Sequence, residues 1–180
     1  IKLYDVTDIK IGGRNLALGT SCEYSTPFTD FNGKVNICIF NTKVLTKGLS
    51  VGDTIICKIV YKYNNIVPVK DKTVSISLQG SGNVTGYGAG SFIGGRMLSG
   101  ITGSNEGVYT KQLVITEDHL KNEYWNVNIR HDYIQSGSAQ YKLFKVEKGN
   151  IATDWTPAPE DMDSQIQSLV KTTTETSLVV

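Results

Sequence analysis

Short stretches in which apolar and polar residues alternate recur along this chain, and they constrain its fold more than any other feature of the sequence. Residues 54–63 place Ile, Cys, Ile, Tyr and Tyr at every second position. In residues 73–79, Val74, Ile76 and Leu78 alternate with Thr, Ser and Gln. A period of two is typical of a strand with one buried face. A helical period is missing before residue 158, so the part of the chain that precedes it is predicted to be β structure.

At least six such runs are separated by clusters of Gly, Asn, Asp and Lys, and no helical segments lie between them. They span residues 35–40, 54–63, 73–79, 109–115, 124–130 and 141–146. This arrangement predicts an all-β fold, an antiparallel β-sandwich or barrel, rather than a βαβ fold. A chain of 180 residues is long enough to bury the core of one such domain.

The glycines are concentrated in residues 80–107, which contain ten of the chain's 18. Neither phosphate-binding glycine motif occurs in this segment, and no helix follows it, so a nucleotide site is not expected. We predict a long loop with one irregular strand near residues 92–98. Loops on rigid sandwiches often carry binding residues, so Tyr87, Phe92 and Arg96 are candidates.

Composition excludes two classes of partner. Eighteen Lys and Arg residues balance 17 Asp and Glu residues, so the chain lacks the basic surface that nucleic acid requires. No apolar run approaches the ~20 residues that span a bilayer, so no membrane contact is predicted. The three cysteines lack the spacing of a zinc site or redox pair. The first residue is Ile1, and we expect the chain to be part of a longer protein.

Residues 145–166, KVEKGNIATDWTPAPEDMDSQI, mark a change from sheet to helix. Pro157 and Pro159 remove backbone donors and favour extended geometry before them, so the sheet must end here. Pro159 suits the first position of a helix, and Glu160 and Asp161 place negative charge in its first turn. Trp155 is expected to pin the segment against the sandwich.

The helix carries a narrow apolar stripe. Met162, Ile166 and Leu169 are spaced by four and then three residues, which is the a/d rhythm of a coiled coil. A short helix with such a stripe is marginal in water unless something covers it. Copies of the same chain are the simplest cover, and we predict a homotrimer.

Two motifs carry a resemblance to a known family. GRNLALGT at residues 13–20 and EKGNIATDWTPAPED at residues 147–161, followed by a helix, resemble the ends of carbohydrate-binding-module-like domains in phage and prophage tail proteins of Gram-positive bacteria. Such domains occur in baseplate, tail-tip and fibre proteins. The resemblance covers residues 11–166. It implies a connector at residues 1–10, a jelly-roll-type antiparallel β-sandwich at 11–156, and a linker with the start of an oligomerising, coiled-coil helix at 157–180.

A glycan-binding surface needs aromatic faces and hydrogen-bonding side chains on a rigid support. In residues 124–130, Trp125, Val127 and Ile129 occupy alternate positions and are expected to face the core. The positions between them are mostly polar and are expected to face outward. The alternative is a solvated strand face, and a neighbouring polar strand would favour the binding face. The candidate carbohydrate-binding residues are Tyr124, Asn126, Asn128, Arg130, Gln79, Tyr87 and Arg96.

No catalytic set is evident. His119 and His131 are the only histidines, and His131 and Asp132 are strand neighbours that point to opposite faces. Glu23, Asp30 and Asp154 could donate to a structural calcium ion, but they lack EF-hand spacing. No metal, cofactor or enzymatic activity is predicted.

The resemblance implies a non-catalytic glycan-binding domain that mediates adsorption to host cell-wall or capsular polysaccharide. It further implies location in the phage tail of the virion after synthesis in the bacterial cytoplasm, with other tail proteins as partners. Two alternatives stay open: a structural spacer of a fibre or baseplate, and a module of a polysaccharide-degrading tail enzyme.

Overall fold

The computed structural model describes residues 13–84 and 94–177, which form seven strands and two helices. One sheet has the strand order β1-β6-β3-β4 and the other β5-β2-β7, and every pairing is antiparallel. The elements are β1 (Ile37–Leu45), β2 (Thr54–Pro68), β3 (Ser75–Gly82), β4 (Gly95–Ser99), β5 (Gly103–Val114), α1 (Glu117–Leu120), β6 (Tyr124–Asp132), β7 (Ile134–Lys148) and α2 (Pro159–Ser177). The predicted all-β antiparallel sandwich is confirmed.

The core lies between the two sheets and is formed by the alternate strand residues that the sequence predicts to be buried. Trp125, Val127 and Ile129 of β6 are fully buried, as are Ile59 and Tyr63 of β2. Side chains at alternate positions of a strand project to one face, so each strand supplies every second residue to this layer. The short helix α1 was not predicted.

The first strand differs from its prediction. It begins at Ile37 rather than residue 35, and Val35 is 46% exposed instead of buried. Its register against β6 shifts between Ile39 and Thr42, and Phe40 has a left-handed backbone with φ of 59°. A bulge inserts extra residues and breaks the alternation. The odd-numbered positions face the core at Ile37 and Ile39, whereas after the bulge the even-numbered position Val44 does.

The segment before β1 covers one open side of the sandwich. Its Leu16 N–H donates to the carbonyl of Val146 on β7 (2.7 Å), and the Leu16 carbonyl accepts from Leu45 on β1 (2.8 Å). Further along, Phe28 exchanges backbone hydrogen bonds with Ala139 on β7, both at 3.0 Å. The edges of both sheets on this side are therefore paired with the chain's own residues.

The glycine-rich segment is partly strand rather than one long loop. β3 extends to Gly82, β4 is the predicted irregular strand, and β5 begins at Gly103. Two of the glycines make room for tyrosine hydroxyls. A Cβ at Gly95 would lie 2.5 Å from Tyr109 Oη, and one at Gly107 would lie 2.6 Å from Tyr61 Oη. Tyr87 and Phe92 lie outside the described residues.

The two sequence motifs from the ends of the chain contact each other. Trp155 Nε1 donates to Thr20 Oγ1 at 3.1 Å, so this ring pins the exit segment as predicted. Gly19 N–H donates to Asp161 Oδ2 at 2.8 Å, and Arg14 pairs with Glu160. The start of α2 is therefore fixed to the sandwich.

The helix α2 begins at Pro159, as the sequence predicts. Beyond its first turn the predicted stripe is exposed: Met162 is 50%, Ile166 56% and Leu169 67% accessible. Within the described residues, no helix is both long and apolar enough to cross a bilayer.

Candidate functional site

The candidate site is the outer face of the four-stranded sheet, here called the β6 face. Its register places Asn128 beside Gln79, Arg130 beside Ser77, and Ser77 in turn beside Arg96. Six of the seven predicted residues therefore share this face, and Tyr87 lies outside the described part of the chain. The β6 face comprises Tyr124, Asn126, Asn128 and Arg130 of β6, Ser77, Gln79 and Ser81 of β3, Arg96 of β4, and Cys38 and Lys43 of β1.

The neighbouring strand β3 meets the condition that favours a binding face. On the side of β3 that faces the core, Ile76 and Leu78 are apolar and buried. On its outer side, the alternate residues carry hydroxyl and amide groups that are half-buried. Hydrogen-bonding side chains thus run across two adjacent strands rather than along one. A row of this width could contact more than one sugar unit.

Arg130 is held in place rather than projecting freely. Its Nε donates to both carboxylate oxygens of Asp132, at 3.0 and 2.8 Å. Asp132 also accepts from the backbone N–H of Asn36 at 2.7 Å. Because charge-assisted bonds of this kind are strong, the Arg130 side chain is held against Asp132. Arg130 therefore supports the face as well as lining it.

Asn128 lies in the middle of the β6 face, and its side-chain oxygen is unusual in lacking a hydrogen bond within the described part of the chain. Its Oδ1 is buried and has no hydrogen-bond partner among the described residues. A buried acceptor without a donor costs about 1–3 kcal/mol.

One end of the β6 face opens into a cavity. Lys43 Nζ lies 4.4 Å from the centroid of the Tyr124 ring, and Lys43 is opposite Asn126 in the register. Beside them is a cavity of about 610 Å³ lined by Leu18, Gly19, Asn41, Thr42, Lys43, Asn126, Val127 and Asp161. Sequence reasoning missed Asn41, Thr42 and Lys43, because the β1 bulge that presents them leaves no periodic signal.

His131 is a core residue and does not face solvent. Its Nδ1 donates to the carbonyl of Ile37 at 3.2 Å, and its Nε2 lies 2.6 Å from the Tyr141 hydroxyl and 3.2 Å from the Tyr63 hydroxyl, which are also hydrogen-bonded to each other. Burial lowers the pKa of His131 to about 4. Asp132 lies on the outer face, so the two neighbours point apart as predicted. They form no catalytic pair.

The other histidine has a local structural contact. His119 Nδ1 accepts from the backbone N–H of Thr116 at 2.9 Å, at the start of α1, and burial lowers the pKa of His119. Within residues 13–84 and 94–177, no three His, Cys, Asp or Glu side chains come together as a metal site.

No protein-family model matches this chain, and no curated protein matches its sequence. Among solved structures, the tripod (BppUct-A-L) from the baseplate of bacteriophage Tuc2009 has 13% identity and a TM-score of 0.46, covering 85% of this chain and 61% of that one. A structure described as "CBM4 structure and function" has 10% identity and a TM-score of 0.36, covering 72% of this chain and 89% of that one. The chain spans about three-fifths of the length of the baseplate chain.

Proposed function

We propose that this chain is a non-catalytic glycan-binding domain of a phage tail or baseplate protein, which attaches the particle to host cell-wall or capsular polysaccharide. The end motifs at residues 13–20 and 147–161 support the assignment to a tail protein. The β6 face supports the assignment to a glycan, and it is the observation on which the proposal depends.

The chemistry of the β6 face suits a sugar. Amides such as Asn126 and Gln79 both donate and accept, which matches the hydroxyls of a pyranose. The Tyr124 ring at the end of the row offers an apolar surface.

Weak single-site binding suits an oligomeric tail protein. Hydroxyl groups exchange water for protein partners with little net gain, so one β6 face is expected to bind weakly. Display in a homotrimer through Met162, Ile166 and Leu169 would raise avidity by about 10²–10⁴. Other tail proteins would be the remaining partners, in the virion, after synthesis in the bacterial cytoplasm.

The test is a glycan array together with a pull-down on purified host cell walls. We expect binding that the double variant Asn126→Ala/Gln79→Ala reduces at least about tenfold. Arg130→Ala is a poorer probe because it also releases Asp132. The matched control Asn105→Ala/Gln135→Ala removes the same two groups from exposed positions off this face. Equal loss in both double variants would contradict the proposal.

A structural spacer is the second candidate, and one observation favours it. The exit segment and the start of α2 are fixed to the sandwich by Trp155, Asp161 and Glu160, which gives a rigid junction of the kind a fibre needs. A spacer would bind no glycan on the array. An enzymatic module would instead release reducing ends from cell-wall material.

A further inference from the structure

We propose that the outer face of the three-stranded sheet is a second binding surface, for a glycan chain that carries phosphate or carboxylate groups. Its central residues are Tyr24, Lys62 and Lys142, with Lys58 further along β2. This surface, here called the Tyr24 patch, lies on the opposite sheet from the β6 face. Its ligand class and its test are independent of the proposed role of that face.

The patch is built from three adjacent segments. Lys142 of β7 is opposite Val60 of β2, and Lys62 is two residues further along the same face. Tyr24 lies in the segment that runs along the edge of β7. The backbone N–H of Ser25 donates to the Tyr141 carbonyl at 2.9 Å, which fixes Tyr24 beside Lys142.

Two ammonium groups converge on the Tyr24 ring. Lys142 Nζ lies 4.2 Å from the ring centroid and Lys62 Nζ lies 5.9 Å from it. Both distances are within the range of cation–π attraction, which holds the long side chains in place. The ring therefore brings together two charges that would otherwise repel each other.

No carboxylate among the described residues forms an ion pair with Lys62 or Lys142. Glu106 is opposite Lys62 in the register, but the Lys62 ammonium lies by Tyr24 and forms no ion pair with it. Other basic side chains do have carboxylate partners in the described part of the chain: Arg14, Lys121, Arg130, Lys145 and Lys148. The Tyr24 patch thus brings together two ammonium groups that have no ion-pair partner among the described residues, although the whole chain has a net charge of only +1.

These features fit an anionic polymer better than a single ion. An oxyanion between Lys62 and Lys142 would accept charge-assisted hydrogen bonds from both. Lys58 is four residues from Lys62 on the same face, about 13 Å along the strand, and could contact a second anionic group. Between them Val60 pairs with Val108, which is 56% exposed, and the two supply an apolar floor for a sugar ring.

The experiment measures binding of the purified chain to poly(glycerol phosphate), to polygalacturonate and to neutral dextran. We expect binding to at least one anionic polymer, little binding to dextran, and weaker binding in about 300 mM than in about 20 mM NaCl because salt screens exposed charges. Preference between the two anionic polymers distinguishes phosphate from carboxylate.

The variant Lys62→Gln/Lys142→Gln should weaken this binding at least about tenfold. The control Lys47→Gln/Lys70→Gln removes two exposed lysines from the turns at the two ends of β2 and should change it less than about twofold. The Asn126→Ala/Gln79→Ala variant should retain it, which separates this surface from the β6 face. Absence of binding to both anionic polymers, or equal losses in the two lysine variants, would overturn the proposal.

Discussion

Asn15 donates through Nδ2 to the carbonyl of Thr156 at 2.9 Å, and this bond joins the first sequence motif to the last. The same side chain accepts through Oδ1 from the backbone N–H groups of Ala17 (3.0 Å) and Val146 (3.2 Å). Asn15 is fully buried. One amide thus satisfies groups from the start of the chain, the last strand and the exit segment, which gives the two distant motifs a shared physical role.

Replacing this amide should destabilise the fold. Asn15→Ala leaves two buried N–H groups and one carbonyl without partners, and we expect a loss of roughly 2–4 kcal/mol in the free energy of unfolding. Urea denaturation measures it. The control Asn41→Ala makes the same change at an exposed position and should cost less than about 0.5 kcal/mol. Similar losses in both variants would mean that the Asn15 bonds contribute little.

A buried ion pair holds the exit segment, and a double-mutant cycle should reveal it. Lys145 and Glu147 are each 2% exposed, and Lys145 Nζ lies 3.3 Å from Glu147 Oε2. Lys145 also donates to the Asp154 carbonyl at 2.8 Å, and Glu147 accepts from the Thr153 N–H at 2.7 Å. The pair therefore anchors residues 153–154 to the outside of β7.

Lys145→Met should cost about 3–5 kcal/mol, because it leaves the Glu147 charge buried without its partner. The double variant Lys145→Met/Glu147→Leu should be more stable than the sum of the single effects predicts, by at least about 1 kcal/mol. Chemical denaturation of all four proteins completes the cycle. Strict additivity would show that the two charges act independently.

Stability should fall in mild acid because of His131. Its pKa is about 4 in the fold and 6.5 as the ordinary value, so the unfolded chain binds the proton more readily. This contribution is complete above pH 6.5 and is lost as the pH falls through 4, by about 3 kcal/mol in total. The groups facing it in the core are the hydroxyls of Tyr63 and Tyr141, and the nearest charge is Asp132 on the other face.

The variant His131→Gln isolates this effect. Its amide can still donate to the Ile37 carbonyl and accept from the tyrosines, but it does not titrate. Urea midpoints between pH 7 and pH 4 should therefore decline less steeply in this variant than in the wild type. The pKa of His119 is also lowered and contributes equally to both proteins. Identical pH profiles would exclude His131 as the cause.

Parity was the most informative signal in the sequence. Apolar alternation placed Trp125, Val127 and Ile129 in the core and put Asn126 and Asn128 on the outside, because one buried face enforces a period of two. The alternation of apolar and polar residues does not predict which side chains face the core where a bulge interrupts a strand. The bulge at Phe40 brings Lys43 to the β6 face, and this consequence has no periodic signature.

Long-range pairing could not be predicted from one sequence. Nothing local indicates that Asn15 meets Thr156, or that Tyr24 meets Lys62 and Lys142, because these contacts depend on how the edge segment crosses from one sheet to the other. The Pro159 helix start was predictable, since proline at the first position and acids in the first turn act within a few residues.

The stripe on α2 gives the last prediction, which concerns assembly. Met162, Ile166 and Leu169 are half or more exposed and follow an a/d spacing, so burying them against copies of the same helix would remove apolar area from water at about 25 cal/mol per Å². We expect sedimentation equilibrium to give a mass that approaches three times the 19.7 kDa chain as concentration rises.

The variant Ile166→Ser/Leu169→Ser should shift this equilibrium to monomer. The control Gln167→Ser/Lys171→Ser places serines on the opposite side of the same helix, where they lower helix propensity to a comparable extent without removing apolar surface. It should remain trimeric. A wild-type chain that stays monomeric at every concentration, or a control that dissociates as readily as the test variant, would exclude the stripe as the trimer interface.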